Sequence, residues 1–401
     1  MADEWPIGGL DVAALTVGGW RPHPFTQFVL KVHSRCDLAC DYCYIYTLGD
    51  STWASRPKVI TPAVMRAAAG RIADHCSKHE LAEVMVVLHG GEPLLAGPSV
   101  IREVAAVLRS ALPGHTTLNL QIQTNGVTLD RSMLDLLLGL NIKVGVSLDG
   151  AQPQHDKHRR TARGTGSYEH TARALKLLSS PEYRAIFAGL LCVIDVDGDP
   201  VETYETLLSF SPPAVDFLLP HGNWTTPPPN RAVGDPRTPY ADWLGEVFDR
   251  WYSAPRQETR VRLFEEIINL TLGGASVSEQ VGLSPVACLV VDTDGSLEQV
   301  DALRSVGHGA ADTGLTVFGN DFDDVLRHPA IVARQIGMAA LPETCMDCPI
   351  RHICGGGHYA HRYRRGSGYR NPSVYCPDLT KLIGYVTGRL RADISELLET
   401  T

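Results

Sequence analysis

The feature that most constrains this chain is a series of apolar, β-rich runs, each followed by a helical stretch. "FVLKVH" (28–33), "VMVVLHG" (84–90), "LNLQIQTN" (118–125), "IKVGVSLDG" (142–150), "AIFAGLLCVID" (185–195) and "VDFLLPHG" (215–222) read as strands. The intervening patterns predict helices over about 62–80, 98–111, 129–139, 167–179, 200–210 and 239–252. Six strand–helix units with near-continuous apolar strands predict a parallel sheet, curled into a barrel or part of one. In such sheets, chemistry gathers at the C-terminal ends of the strands. That is where the polar and glycine-rich pieces fall: "HGGEP" (89–93), "TNG" (124–126), "SLDG" (147–150) and, after the first strand, a group of cysteines.

Those cysteines stand in "HSRCDLACDYCYIY" (33–46) as Cys36, Cys40 and Cys43. A second group, Cys345, Cys348, Cys354 and Cys376, falls near the end of the chain, and Cys76, Cys192 and Cys288 stand apart. A net charge of −9 argues against nucleic acid as a partner. The acidic N-terminus lacks a basic targeting region, and the longest apolar run, "AIFAGLLCVI", is too short to cross a bilayer. The expectation is therefore a cytoplasmic protein with no membrane partner. In a reducing compartment clustered cysteines are metal ligands or catalytic groups, and Cys76 and Cys192 read as small buried apolar side chains. Structural zinc wants four ligands, whereas three thiolates alone suit an iron–sulfur cluster with one iron open. His33 ends an apolar strand and reads as a core or substrate-pocket histidine rather than a fourth ligand. The back group, by spacing alone, suits zinc as well as a cluster.

The C-x3-C-x2-C loop with Tyr42 just before its last cysteine resembles that of the radical S-adenosylmethionine (SAM) enzymes. Three further segments are similar to that family's motifs: "GGEP", "SLDG", and "HDKHR" (155–159) with Arg159 facing the SAM carboxylate. Alone, the first two would read as turns. The resemblance implies SAM contacts from Tyr42, Gly90, Gly91, Glu92, Pro93, Asn125, Ser147, Asp149, Arg159 and Ile194. Gly90 and Gly91 are expected to let backbone approach the ligand, Glu92 to receive the SAM ammonium, and Ser147 or Asp149 to bond ribose hydroxyls. It also implies a 5′-deoxyadenosyl radical that abstracts hydrogen from an unactivated C–H bond, fed by an electron donor of flavodoxin or ferredoxin type.

The back cysteines resemble part of a SPASM domain, with departures: Val300 and His358 stand where that pattern has cysteines. The replaced positions resemble ligands of the first auxiliary cluster and the retained ones those of the second. The expectation is therefore two [4Fe-4S] clusters plus SAM, with Cys288 left over and His358 making a hydrogen bond from its loop. Asp301, just after Val300, resembles the proton-accepting aspartate of sulfatase-maturing relatives; otherwise it is a solvated hairpin carboxylate. Asp216 and His221 are weaker candidates for substrate contact.

The architecture these readings give is a partial (β/α)6 TIM-like barrel over 28–255, after an N-terminal extension (1–27). A helical linker (256–283), a SPASM-like domain (284–378) and a C-terminal helix (379–401) follow. "QFVLKVHSRCDLACDYCYIY", "DFLLPHGNW" and "CGGGHYAHRY" resemble the Fxs-type maturases, grouped with the Xye and Grr types. This implies a three-residue cyclophane in a ribosomal precursor peptide: an aromatic ring carbon joined to the β-carbon two residues on. Thioether formation, epimerisation, sulfatase-type formylglycine formation and a non-enzymatic electron-transfer or zinc protein are the alternatives. Only 27 residues precede the first strand, too few for a full winged-helix leader-binding domain. The leader is then expected to bind the barrel or C-terminal surface, or a separate leader-binding protein.

Overall fold

The computed structural model describes residues 4–232 and 234–399. Seven strands run parallel in sequence order: β1 (Gln27–His33), β2 (Glu83–Gly90), β3 (Thr117–Thr124), β4 (Lys143–Ser147), β5 (Phe187–Val193), β6 (Ala214–Leu218) and the two-residue β7 (Arg260–Val261). Three more strands extend the other edge. β8 (Cys288–Val291) pairs parallel with β1, and β9 (Ser296–Glu298) and β10 (Asp312–Thr316) continue antiparallel. The sheet is thus a single open, mixed array of ten strands, ending in β7 on one side and β10 on the other.

The crossover helices lie where the periodicity predicts them: Pro62–Lys78, Gly97–Ala111, Arg131–Gly139, Tyr168–Leu178, Pro200–Leu208 and Pro239–Tyr252. Three of them start on a side-chain cap. Thr61 accepts from Val64 N–H, Asp130 from Met133 N–H and Asp199 from Glu202 N–H, each satisfying a first-turn donor. Their apolar stripes (Met65, Ala68 and Ile72; Ile101, Val104 and Leu108; Leu134 and Leu137) are sealed against Val86, Leu88, Ile122, Val144 and Val146.

The cysteine-rich C-terminal region is not walled off from the barrel, because its hairpin shares the main sheet. A buried ionic network fixes this junction. Arg304, 1% exposed, donates to Asp50 at 2.5 Å, Asp292 at 2.8 Å and also Glu298. Lys31 on β1 binds Asp301 at 2.6 Å and Asp292 at 3.4 Å. The closing helix, Cys376–Glu399, begins on a cysteine and is held by Asp378, whose carboxylate accepts the Tyr240 and Ala241 N–H groups at 3.0 and 3.1 Å. That contact caps the N-terminus of the Pro239–Tyr252 helix from outside. Among the described residues no helix is long and apolar enough to cross a membrane.

Candidate active site

All ten cysteines are free thiols. Cys36, Cys40 and Cys43 line one cavity of about 160 Å³ at the C-terminal ends of β1–β6, together with Tyr42, Gly91, Asn125, Ser147 and Arg159. The structure therefore brings together the cysteine loop and the strand-end motifs. Burial raises all three thiols, Cys40 to about 11. Holding a metal needs thiolates, so loading the loop must release protons.

Arg159 makes the clearest offer to a ligand. It is 8% exposed, its guanidinium donates to Tyr42 Oη at 2.8 Å, and its buried Nε has no partner. An orphaned guanidinium N–H in a cavity fits a carboxylate such as that of SAM. Tyr42 in turn donates to Asp149, whose other oxygen accepts Val193 N–H at 3.1 Å. Asp149 is 3% exposed and turned inward: it anchors Tyr42 and β5 and does not reach the cavity as a ribose contact. Ser147 does line the cavity and accepts a hydrogen bond from Gln123 Nε2 at 3.1 Å.

Glu92 also departs from expectation. Its carboxylate accepts Leu94 N–H at 3.0 Å, Thr124 Oγ1–H at 2.7 Å and Asn125 N–H at 2.8 Å, and it lies outside the cavity lining. Three protein donors already occupy it, and it is 1% exposed. Glu92 instead ties the end of β2 to the end of β3, while burial pushes its carboxyl up to about 7. Asn125, so positioned, turns its amide to Asp37 at 2.7 Å, beside Cys36. The glycines serve protein packing as well. A Cβ on Gly90 would sit 1.9 Å from the His33 carbonyl, and one on Gly91 would sit 2.0 Å from Tyr46 Oη and 2.6 Å from Arg35 backbone. Gly91 and Glu92 N–H groups donate to the carbonyls of His33 and Arg35, both at 2.9 Å, pinning this segment to the base of the cysteine loop. Of these residues Gly91 reaches the cavity, whereas Gly90, Pro93 and Ile194 do not; Leu191 and Val193 line it in place of Ile194. His33 hydrogen-bonds the Arg35 carbonyl through Nδ1 at 3.0 Å and stays out of the cavity, as a satisfied strand-end histidine would.

The back cysteines Cys345, Cys348, Cys354 and Cys376 line a separate cavity of about 160 Å³ with Thr344, Ile350 and Gly356. Gly355, at φ +59°, lets the turn after Cys354 approach Gly282 so closely that a Cβ would meet its carbonyl at 1.7 Å. Four free thiols around one space fit a four-thiolate metal centre. Cys288 and Val300 lie elsewhere, on a larger cleft of about 600 Å³ that also takes in His221, His358 and His361. This cleft fills the open side of the barrel, with Gln27 and Cys288 on one flank and Leu218, Leu219 and the Pro239–Tyr252 helix on the other. His221, Leu218 and Leu219 wall both this cleft and the cysteine cavity.

Asp301 is not a solvated hairpin carboxylate. It is buried, ion-paired to Lys31 and to Arg304 Nε at 3.1 Å, and these charges hold its carboxyl at about 2 despite burial. Val300 lines the cleft, whereas the Asp301 carboxylate is taken up by the network. Asp216 likewise anchors structure, pairing with Arg262 and accepting from Gln280 Nε2 at 3.0 Å.

Residues 30–208 match the family model of the Radical SAM superfamily. They form a radical SAM domain. The chain as a whole is 25% identical, over 92% of its length and 97% of the relative's, to a cysteine-type anaerobic sulfatase-maturating enzyme of Clostridium perfringens. The solved structure of native anSMEcpe with bound AdoMet superimposes with a TM-score of 0.78 at 20% identity, over 92% of this chain and 100% of that one. Streptococcus suis SuiB bound to precursor peptide SuiA gives 0.58 at 14% identity, covering 91% and 78%. The shared fold is the radical SAM α/β type with a non-closed sheet and a cysteine-rich C-terminal region. No relative among these supports the cyclophane subgroup in particular.

Proposed function

We propose that this radical SAM enzyme oxidises a side chain of a peptide or protein substrate by hydrogen abstraction, with sulfatase-type formylglycine formation as the leading outcome. The observation that carries the reading is the shared cavity: three free thiols, an arginine with an orphaned N–H, and Asn125 and Ser147, all at strand C-termini. When bound, a [4Fe-4S] cluster on Cys36, Cys40 and Cys43 together with SAM supplies one electron and a hydrogen-atom acceptor. The chain's own residues bind, orient and exclude water. Arg159 takes the SAM carboxylate, held at the right height by Tyr42 and Asp149. Glu92 fixes the β3 end so that Asn125 reaches the cysteine loop. Leu191, Val193, Leu218 and Leu219 give the cavity an apolar wall, which keeps water from a reactive intermediate. The larger cleft is open enough for an extended peptide, and its common wall with the cysteine cavity at His221 gives a side chain a short path inward. The near full-length likeness to a sulfatase-maturating enzyme favours formylglycine.

Cyclophane formation is the second reading, favoured by one observation: the missing thiols at Val300 and His358 leave one four-cysteine site where two sets would be needed for two auxiliary clusters. We infer that Cys345, Cys348, Cys354 and Cys376 hold that auxiliary [4Fe-4S] cluster. Both readings begin with abstraction at a β-carbon and both need an electron sink. An external electron donor and a leader-binding partner remain part of the proposal. The test is anaerobic incubation of the loaded enzyme with SAM, reductant and a peptide carrying a sulfatase-type cysteine or serine, or a neighbouring-gene precursor, followed by mass spectrometry. Formylglycine gives an aldehyde that reacts with a hydrazine probe. A cyclophane gives loss of two hydrogens, no hydrazine adduct and silenced fragmentation across an aromatic-x-x unit. No 5′-deoxyadenosine from fully loaded enzyme would refute the radical reading itself.

A further inference from the structure

Three histidines from two distant parts of the chain meet on the wall of the large cleft. His221 follows β6; His358 caps a 3-10 turn, Tyr359–Arg362, and His361 lies within it. In a 3-10 turn residues three apart eclipse, so His358 and His361 project to the same side. One ring nitrogen from each lies within 4.8 Å of the other two, and the ring centroids are 5.0 to 5.4 Å apart. His221 Nδ1 and His361 Nε2 are 3.2 Å apart. That separation suits an N–H···N bond, but equally two ligands on one ion at about 2.0–2.1 Å each.

Hydrogen bonding among the rings does not account for the arrangement. His361 is 3% exposed, and its Nδ1 is buried without a partner. His358 makes one long contact, accepting Ala360 N–H through Nδ1 at 3.3 Å. The rings are nevertheless firmly oriented: Tyr44 meets His221 edge-on at 5.1 Å and Tyr375 meets His361 at 5.0 Å. Three clustered imidazoles with a rigid aromatic surround, on the wall of an open cleft, have the make-up of a three-histidine metal centre with a vacant coordination position.

We propose that His221, His358 and His361 bind one divalent d-block cation whose open position faces the large cleft and takes an anionic donor of the substrate, a thiolate or carboxylate. The substrate part rests on the peptide-oxidising reading; the metal part does not. The site lies on the wall shared with the cysteine cavity, so a donor captured there would place the neighbouring side chain toward the hydrogen-abstracting site.

The experiment is titration of anaerobically prepared holoprotein with Co2+, read by visible d–d absorption, with metal analysis of the protein as isolated. The expected result is one equivalent of Co2+ bound with low-symmetry d–d bands, lost in His361→Ala and in His221→Phe. It should persist in His79→Asn, which disrupts a second cluster among the described residues, His75, His79 and Asp323. Iron content and far-UV circular dichroism report whether each variant keeps its clusters and fold, and loss of Co2+ with iron retained is the supporting outcome. Absence of d–d bands in the parent protein, or equal Co2+ binding in His361→Ala, overturns the proposal. 5′-Deoxyadenosine release from the same samples separates the two claims, since failure of SAM cleavage with intact Co2+ binding would sink the radical reading alone.

Discussion

Replacing Asp301 by asparagine isolates a buried charge that the sequence singles out and the structure reassigns. The carboxylate sits 2.6 Å from Lys31 Nζ and 3.1 Å from Arg304 Nε, with both cations nearly sealed from solvent. Its carboxyl falls from an ordinary 3.8 to about 2, with burial opposing the fall and Lys31, Arg304 and His89 driving it. A depressed pKa means that the folded state binds the proton less readily than the unfolded one. The stabilisation is therefore complete above 3.8 and disappears as pH falls through 3.8 toward 2. The shift is worth about 2 kcal/mol. Asparagine also points an N–H toward one of two buried donors, so the total loss at neutral pH is about 2–3 kcal/mol. The assay is guanidinium unfolding of parent and variant under anaerobic conditions, at several pH values between about 5.5 and 8. The gap should be flat across that range, because the titration lies below it. A gap under about 0.5 kcal/mol, or one that changes between these pH values, would refute the ionised-pair account. The same variant separates this structural role from the proton-accepting role that the resemblance implies: product and 5′-deoxyadenosine should keep their parent ratio, and a fall in product alone would restore the proton role.

Gly91→Ala should strip the cysteine loop of its cluster, since the added methyl meets Arg35 backbone at 2.6 Å and cannot displace it; overpacking of this kind costs about 1–3 kcal/mol, and full iron content in the variant would contradict the packing argument. Arg159→Gln should weaken SAM binding roughly 10- to 100-fold, the worth of a charge-assisted hydrogen bond, as read by calorimetry on loaded protein; unchanged affinity would show that the orphaned Nε does not meet the ligand. Cys354→Ser should lower iron by one cluster while leaving the Cys36/Cys40/Cys43 site filled, and zinc rather than iron in the parent at that position would replace the auxiliary-cluster assignment.

The crossover helices are legible from their apolar periodicity, and in three of the six a capping side chain, Thr61, Asp130 or Asp199, stands where that periodicity begins. Cysteine spacing likewise announced both thiol groups. What the sequence could not show is which way a polar side chain turns once two strand ends meet. Glu92 is a plausible ammonium receptor until Thr124 and Asn125, some thirty residues on, supply donors that claim it from behind. Ile194, Leu191 and Val193 lie within one apolar run, and a parallel strand buried on both faces has no polar alternation to tell cavity side from core side. Gln123 was missed for the same reason, since its neighbours give no sign that it reaches Ser147.

The corrected residues share a pattern that bears on how the site works. Glu92, Asp149 and Asp301 are buried acids beside the strand ends, none lines the cavity, and each is bound by protein donors. What remains facing the cavity is three thiols, one arginine, the neutral polar side chains Gln123, Thr124, Asn125 and Ser147, a set of tyrosine and histidine rings, and an apolar wall. Arg159 is shared in this arrangement: Asp149 lies 3.8 Å from one guanidinium nitrogen, and Nε is left over for a ligand carboxylate. The buried acids hold the strand ends in register. Their engagement with protein donors leaves the three thiols and the orphaned Arg159 Nε as the groups the cavity offers to a ligand.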